Sequence, residues 1–294
     1  MNARVGPVRI ALDARRWHFQ HGPIDLVLEA SGDEDAVNIA HERAWRRFEG
    51  LLEELVTELP RLRRPVGEAA DARGIVARRM VAACLPFQNV FITPMAAVAG
   101  AVADEVLAAM ASAPGLSRAY VNNGGDIAFH VGPAEKFRVG IANDPGRAMR
   151  HGHVFALDGS FEIDAQLPVR GVATSGWRGR SWSLGIADSV TVLARSAAAA
   201  DAAATLIANA VDVEHSAVER ARACDVDDNT DLGTRLVTVD VGMLPEASIA
   251  VALDRGRALA REFARRDLIW AALLTLQGAH RVEGGHAALL VRAS

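Results

Sequence analysis

Asp201 and Thr205 stand four residues apart in AAAADAAATLIANAV, a stretch whose composition predicts a helix. That spacing puts a carboxylate and a hydroxyl on one helix face, one turn apart. Their neighbours are almost all alanine, which leaves room for an ion and its phosphate ligands. Mg²⁺ is normally held by one or two protein oxygens plus water and substrate phosphate, and this pair fits that sparse pattern. An aspartate favoured near a helix N-terminus by the helix dipole, with an unrelated threonine, accounts for the same letters, and spacing alone favours that plainer account.

Two turns could act beside such a pair. Asn122-Asn123-Gly124-Gly125-Asp126 interrupts an apolar strand pattern. Glycines let a ligand approach the backbone and its N–H groups, while the flanking side chains offer hydrogen bonds. An ordinary Asn-Gly hairpin turn explains the residues equally well. Gly171-Val172-Ala173-Thr174-Ser175-Gly176 follows a strand and brings two hydroxyls and glycine amides together, as a phosphate or ribose site would and as an ordinary Ser/Thr turn also would. Neither GxxxxGK[ST] nor GxSxG occurs, so neither a P-loop nor a serine-hydrolase elbow is indicated.

Other groupings are weaker. DVDDNTDLGTRL at 225 to 236 begins like a calcium loop, but Thr230 stands where the sharp-turn glycine belongs and Leu236 where the bidentate glutamate belongs. His151, His153, His280 and His286 lack further ligands at metal-binding spacing and read as surface histidines. Cys84 and Cys224 form no CxxC pattern, and Cys84 in MVAACLPF reads as a core residue.

These residues must be positioned by a sizeable scaffold. The chain has 294 residues, half of them hydrophobic, and a formal net charge of −4, which gives no electrostatic case for nucleic acid. The first twenty residues carry charges throughout and no apolar core of a signal peptide, and no uninterrupted apolar run of membrane-spanning length stands out. The expectation is a cytoplasmic protein with no membrane partner. WHFQHGPIDLVLEASG reads as a hairpin around Gly22-Pro23. SGDEDAVNIAHERAWRRFEGLLEELVTEL reads as one helix ended by Pro60 and Pro65, followed by helices over 72 to 85 and from Pro94 to about Ala111. Strands follow at 119 to 132, KFRVGIAND, HVFALDGSFEIDA with a hairpin at Asp158-Gly159, VRGVATSG and SVTVLARS. After the alanine-rich helix come RLVTVDVG as strand, PEASIAVALDRGRALAREFARR as helix, and LIWAALLTLQGAHRV as a last strand. Strands and helices mix without the beat of a doubly wound sheet, so the fold class is α+β.

Taken in order, the helix with Gly100 and Asp104, then VNNGGDI, VGIANDP, GVATSG and SVTVLA leading into ADAAAT resemble the ApbE-like superfamily of flavin transferases. The chain resembles most closely its UPF0280 branch, through TPMAAVAGAVADEVL at 93 to 107, NNGGDI, and ADSVTVLARSAAAADAAATLIANAV at 187 to 211. The resemblance is strongest over 85 to 212. It implies a single ApbE-like or T-fold-like α+β domain over 1 to 294, with mixed sheets and packed helices, or two intimately packed subdomains.

It also implies chemistry. In the flavin transferases a divalent ion, usually Mg²⁺, bridges enzyme and FAD pyrophosphate, FMN passes to a threonine hydroxyl of an acceptor protein, and AMP leaves. By position Asp201 and Thr205 match that family's metal-binding pair. Asn123, Gly124, Gly125 and Asp126 match its nucleotide-site turn, and Thr174, Ser175 and Gly176 its Thr-Ser-Gly turn. Gly100 and Asp104 match the helix after its GxxKG-type segment. Two positions depart: Ala99 replaces the lysine, and WRGRSWSLGIADS contains no histidine where the transferases have His-x-x-Asp-Pro. Arg178 and Arg180 carry positive charge there, though arginine cannot act as a base. The expectation is Mg²⁺-dependent action on a flavin- or nucleotide-like phosphate ligand, by FAD pyrophosphate cleavage or FMN transfer. Two alternatives stand beside it: an enzyme or binding protein for a non-flavin small molecule, and a structural subunit whose alanine-rich helices pack in a homodimer.

Overall fold

The computed structural model describes residues 6–69, 71–141, 159–285 and 290–291. They form an α+β architecture of two compact units. The first unit takes residues 1–135, 164–173 and 194–202, and the second takes the remainder.

In the first unit, β1 (Val8–Ala11), β2 (Arg16–His21), β3 (Ile24–Gly32), β4 (Leu116–Asn123) and β5 (Asp126–Val131) pair antiparallel in chain order. Ile127 and Ala128 of β5 then pair with Val172 and Gly171. Alternation decides which face is covered. Leu26, Leu28, Ala30, Ala119, Val121 and Ala128 are all buried. Continuing that period of two brings Asn123 and Asp126, paired across the end of the hairpin, onto the same buried face.

Helices α1 (Glu34–Phe48) and α4 (Val98–Ala111) pack on these strands. Between them in sequence lie α2 (Leu51–Leu62) and α3 (Ile75–Cys84), and a 3₁₀ turn at Pro94–Ala97 leads into α4. The segment expected as one helix from Ser31 is thus two. It breaks at Gly50, which leaves helical geometry at φ −103° and ψ 5° and begins α2. Pro60 does not end α2 but sits in its last turn, where the missing N–H costs one bond on an exposed side.

Pro94–Ala111, although interrupted by Asp104 and Glu105, is by length and composition long and apolar enough to cross a membrane. Here that apolarity serves packing: Gly100, Ala101, Val102, Ala103, Val106, Leu107 and Met110 are buried. Glu105, buried among them, is held by Arg47 of α1 and Arg79 of α3 at 2.8 and 2.9 Å, and Arg47 also bonds Glu54 of α2 at 2.8 Å. Three helices meet at the Glu105 carboxylate, and Arg47 adds α2 through Glu54. Cys84 is buried, as the sequence suggests, and its thiol faces the Thr93 carbonyl.

The second unit holds β9 (Ser189–Ala194), β12 (Ala271–Leu276) and β13 (Ala279–Gly284), paired antiparallel in that spatial order through Leu193, with α7 (Glu246–Arg265) packed on β12 and β13. A ribbon pairs β10 (Val218–Arg222) with β11 (Leu236–Val241), and β14 (Leu290–Val291), β7 (Gly159–Asp164) and β6 (Lys136–Ile141) form a small sheet. A one-turn helix, α6 (Ala223–Val226), follows β10. The expected last strand, LIWAALLTLQGAHRV, is instead the β12–β13 hairpin, reversed at Gln277 and Gly278, both at positive φ. The hairpin expected at Asp158-Gly159, His151 with His153, and His286 involve positions outside the described residues.

The β8 strand (Gly171–Ser175) and α5 (Ala197–Ala210) carry the candidate residues. Nearly all of α5 is buried alanine, leucine or isoleucine. Asp201, Thr205 and Asn209, spaced by four, form a part-buried polar stripe along it.

The Glu105 junction sets a stability test. Glu105→Ala leaves two guanidinium groups without their shared partner and is expected to lower unfolding stability by about 2–3 kcal/mol in urea denaturation, whereas Arg79→Ala, which leaves the Arg47 pair intact, should cost less.

Candidate functional site

The centre of the site is the meeting of the N-termini of α4 and α5. A helix begins with amides that have no partner inside the helix, and buried ones must find acceptors elsewhere. At α5 the Ala197 and Ala198 amides donate to the two Asp104 oxygens at 3.0 and 2.9 Å, and the Ala199 amide donates to Ser196 Oγ at 3.2 Å. At α4 the Gly100 amide donates to Asp201 Oδ2 at 3.0 Å, and the Ala99 amide also acts on that carboxylate. Each helix therefore supplies the aspartate that caps the other.

This exchange requires the backbones to touch. A Cβ on Gly100 would lie 2.3 Å from the Ala197 carbonyl oxygen, and one on Gly171 would lie 2.1 Å from the Ala197 nitrogen. Both contacts are with main chain, which cannot swing aside. Glycine at 100 and at 171 is what lets the first turn of α5 seat against α4 and β8.

The β4–β5 hairpin joins this centre. Gly124 and Gly125 form its two-residue turn at φ 66° and 113°, values that favour glycine, and the Asn122 side chain accepts the Gly125 amide at 2.8 Å. The hairpin account of NNGGD is therefore correct for the backbone. It leaves Asn123 and Asp126 to explain, since both are buried polar residues on the helix-covered face. Asn123 Nδ2 donates to the Ala99 carbonyl at 3.1 Å, fixing the turn to the start of α4, and Asp126 lies close enough to Asp201 for their charges to interact. The turn tip is open, with nothing within 4 Å of a Cβ built on Gly125.

Electrostatics set the chemistry. Burial pushes the Asp201 carboxyl well above the ordinary carboxylate value; the Asp126 charge adds to this, the Gly100 and Ala99 amides oppose it, and Asp104 raises it further. Burial also pushes Asp104 up, against the pull of the Ala198 and Ala197 amides and of Arg79. No cation is among the groups acting most on Asp201. A divalent cation fits such a place because it would relieve the repulsion among the three acids. Among the described residues no three His, Cys, Asp or Glu side chains are grouped to hold a metal ion by themselves. A cation at Asp201 would thus draw most of its ligands from water and substrate, as Mg²⁺ does.

The expected residues accordingly fall into two sets. Gly100, Asp104, Asn123, Asp126 and Asp201 come together in the first unit, with Gly124 and Gly125 at the hairpin tip beside them. Asp104 spends both oxygens on α5. Thr174, Ser175, Gly176 and Thr205 belong to the second unit. There Thr174 Oγ1 lies 2.9 Å from Thr191 Oγ1, and Gly176 passes so close to the Asp188 carbonyl that a Cβ would lie 2.4 Å from its oxygen. Thr205 is part-buried, and its hydroxyl has no partner among the described residues. Sequence reasoning passed over two contributors: Ser196 just before α5, and Asn209, which the same four-residue spacing from Thr205 would have found.

A family model described as AbpE bacteria matches residues 9–282. The chain belongs to that family. UPF0280 proteins of methanogenic archaea are its relatives in sequence. That of Methanopyrus kandleri is 40% identical over 148 residues, half of this chain and 54% of that protein. Those of Methanococcoides burtonii and Methanosarcina acetivorans are 34% and 32% identical over 69% and 72% of this chain, covering 81% and 78% of theirs. The chain is thus a UPF0280 member, although it spans only about half the length of the Methanopyrus kandleri protein. Among solved structures, the ApbE protein of Thermotoga maritima aligns at 18% identity and TM-score 0.37 over 67% of this chain and 52% of that one. The apo Pseudomonas stutzeri flavinyl transferase ApbE aligns at 14% identity and TM-score 0.42 over 96% and 95%.

The geometry of this UPF0280 member makes two predictions. Gly100→Ala must separate α4 from α5 and should cost about 2–3 kcal/mol or more in denaturant unfolding. Asp201 is raised in the folded state, so the folded protein binds its proton at a pH where the unfolded chain has already lost it. Its contribution is a penalty near neutrality that disappears as pH falls toward the ordinary carboxylate range. Melting temperatures followed between about pH 7 and about pH 4 should therefore show wild type gaining on Asp201→Asn as pH falls.

Proposed function

We propose that this protein is a Mg²⁺-dependent enzyme acting on the pyrophosphate of a flavin nucleotide. The observation that carries the reading is the Asp201 carboxyl, raised by burial and by Asp126, held on one side by helix amides, and followed one turn later by the Thr205 hydroxyl, which has no partner among the described residues. Asp201 and Thr205 would hold the ion. Family membership and the order of the motifs supply the substrate class.

When bound, Mg²⁺ would supply charge neutralisation on phosphoryl oxygens. The chain's own residues do the rest. The open Gly124–Gly125 tip admits a ligand to the backbone, Asn123 holds that tip to α4, and Asp104 fixes the helix that carries Asp201. In the transfer reaction an acceptor oxygen, from a protein hydroxyl or from water, bonds to the FMN phosphorus. The bond from that phosphorus to the bridging oxygen breaks, AMP leaves with that oxygen, and the acceptor's proton passes to solvent. Ala99, where the resemblance expects a lysine, and the absence of histidine from 177 to 189 favour water over a protein hydroxyl as acceptor.

The same departures motivate a second reading, a binding protein for a different phosphate-bearing small molecule that retains the Asp201 pair without catalysis. Incubation with FAD and Mg²⁺, with AMP followed by chromatography, separates the two. The enzyme reading expects AMP that disappears with EDTA and falls at least a hundredfold in Asp201→Ala. Metal-dependent FAD binding without AMP selects the binding protein, and FAD turnover indifferent to EDTA and to Asp201 removes the metal assignment.

A further inference from the structure

Trp177-Arg178-Gly179-Arg180-Ser181-Trp182 connects β8 to the segment before β9, and its two ends are firmly held while its tip is bare. At the first end, the Trp177 amide donates to the Ala187 carbonyl at 3.0 Å and its indole N–H to Asp188 Oδ1 at 3.3 Å. The Gly179 amide closes a turn on the Gly176 carbonyl at 3.0 Å. At the other end, the Leu184 amide donates to Asn209 Oδ1 at 2.9 Å and Ser183 Oγ to the same atom at 3.2 Å. Asn209 lies one helical turn beyond Thr205, so this leg of the loop is tied to the polar face of α5.

The tip itself has no such ties. Arg178 stacks on Trp177 at 4.9 Å and reaches Asp188 at 3.5 Å, which largely satisfies its charge. Arg180, Ser181 and Trp182 are exposed and have no partner among the described residues, and Trp182 is one of the larger apolar side chains left on the surface, at 37%. From Gly176 to Ala187 the chain has two arginines and no acid. A bare guanidinium two residues from a bare indole is the pairing that recognises a phosphate attached to a flat aromatic ring: the first by charge-assisted hydrogen bonds, the second by stacking.

We propose that Arg180 and Trp182 form a nucleotide-recognition tip, with Arg180 pairing a phosphate and Trp182 stacking the base or flavin ring. The choice of ligand rests on the flavin-nucleotide reading given above. The legs of the loop hold these two residues in place so that little ordering is required on binding, which favours affinity. Both side chains are exposed, so their removal should leave the melting temperature unchanged.

The full-length protein is titrated calorimetrically with FAD, ADP and inorganic pyrophosphate, each in Mg²⁺ and in EDTA. Arg180→Ala is expected to weaken all three by about tenfold or more. Trp182→Ala should weaken FAD and ADP by a similar factor but leave pyrophosphate alone, and Trp182→Phe should restore most of the loss. Wild-type affinities in both Arg180→Ala and Trp182→Ala, or no binding of any probe by wild type, overturn the proposal. FAD binding that needs Mg²⁺ and Asp201 but ignores Arg180 and Trp182 overturns the tip and leaves the metal reading standing. ADP binding that needs Arg180 and Trp182 in EDTA and in Asp201→Ala supports the tip and removes the metal reading.

Discussion

Two buried helix N-termini that satisfy one another are the constraint on which the first unit's site depends. The opening amides of α4 and α5 are packed against protein and must be bonded there. Asp104 of α4 serves α5, and Asp201 of α5 serves α4. Each aspartate reaches the other helix only because Gly100 and Gly171 let main chain meet main chain. Asp201, the ion ligand proposed above, is therefore also part of the fold's own hydrogen bonding. One of its oxygens is already engaged, which fixes the carboxylate's orientation before any ligand arrives.

That double duty explains the electrostatic character of the place. Two arginines of the helix layer are committed to other acids, Arg47 and Arg79 to Glu105, and Arg47 also to Glu54. Arg79 moderates Asp104. Asp201 is left with amide dipoles on one side and Asp126 and Asp104 as like-charged neighbours. Amides stabilise a carboxylate, but here they do not outweigh burial and two further acids. A protonated Asp201 or a bound cation are the two ways to relieve the site, and they compete for the same oxygen.

Much of this was legible in the sequence, and the part that was not has a common cause. The Asp201/Thr205 stripe follows from helical spacing, and the Gly124–Gly125 turn from the conformational needs of a two-residue hairpin. Period two carries Asn123 and Asp126 to the buried face. What local pattern could not supply is the partner of each residue across long separations in the chain. Asp104 bonds amides more than ninety positions away, so a motif match to a nucleotide-site helix gave no hint that both oxygens are spent on a cap. The β12–β13 hairpin was missed for a related reason: Gln277, a non-glycine at φ 45°, is held there by its own contacts. Its amide donates to Asp188, and its side chain bridges Gly242 and Leu244. Apolar residues on both sides then read as one strand.

Asp188 and Asn209 extend the same logic into the second unit. Asp188 ties the Trp177 indole and the turn amide of Gln277 together, and Asn209 ties Ser183 and Leu184 to α5. Neither side chain is shaped for chemistry, since every acceptor it offers in these contacts is consumed by the protein. Their effect is to make the segment between them short and anchored, so that the residues left over at its tip are presented rather than floppy. A polar side chain fully occupied by its own backbone positions other groups, whereas one left bare on an anchored loop is available to a ligand. By that criterion Asp188 and Asn209 form the frame in the second unit, and Thr205, Arg180 and Trp182 are the groups there that have no partner among the described residues.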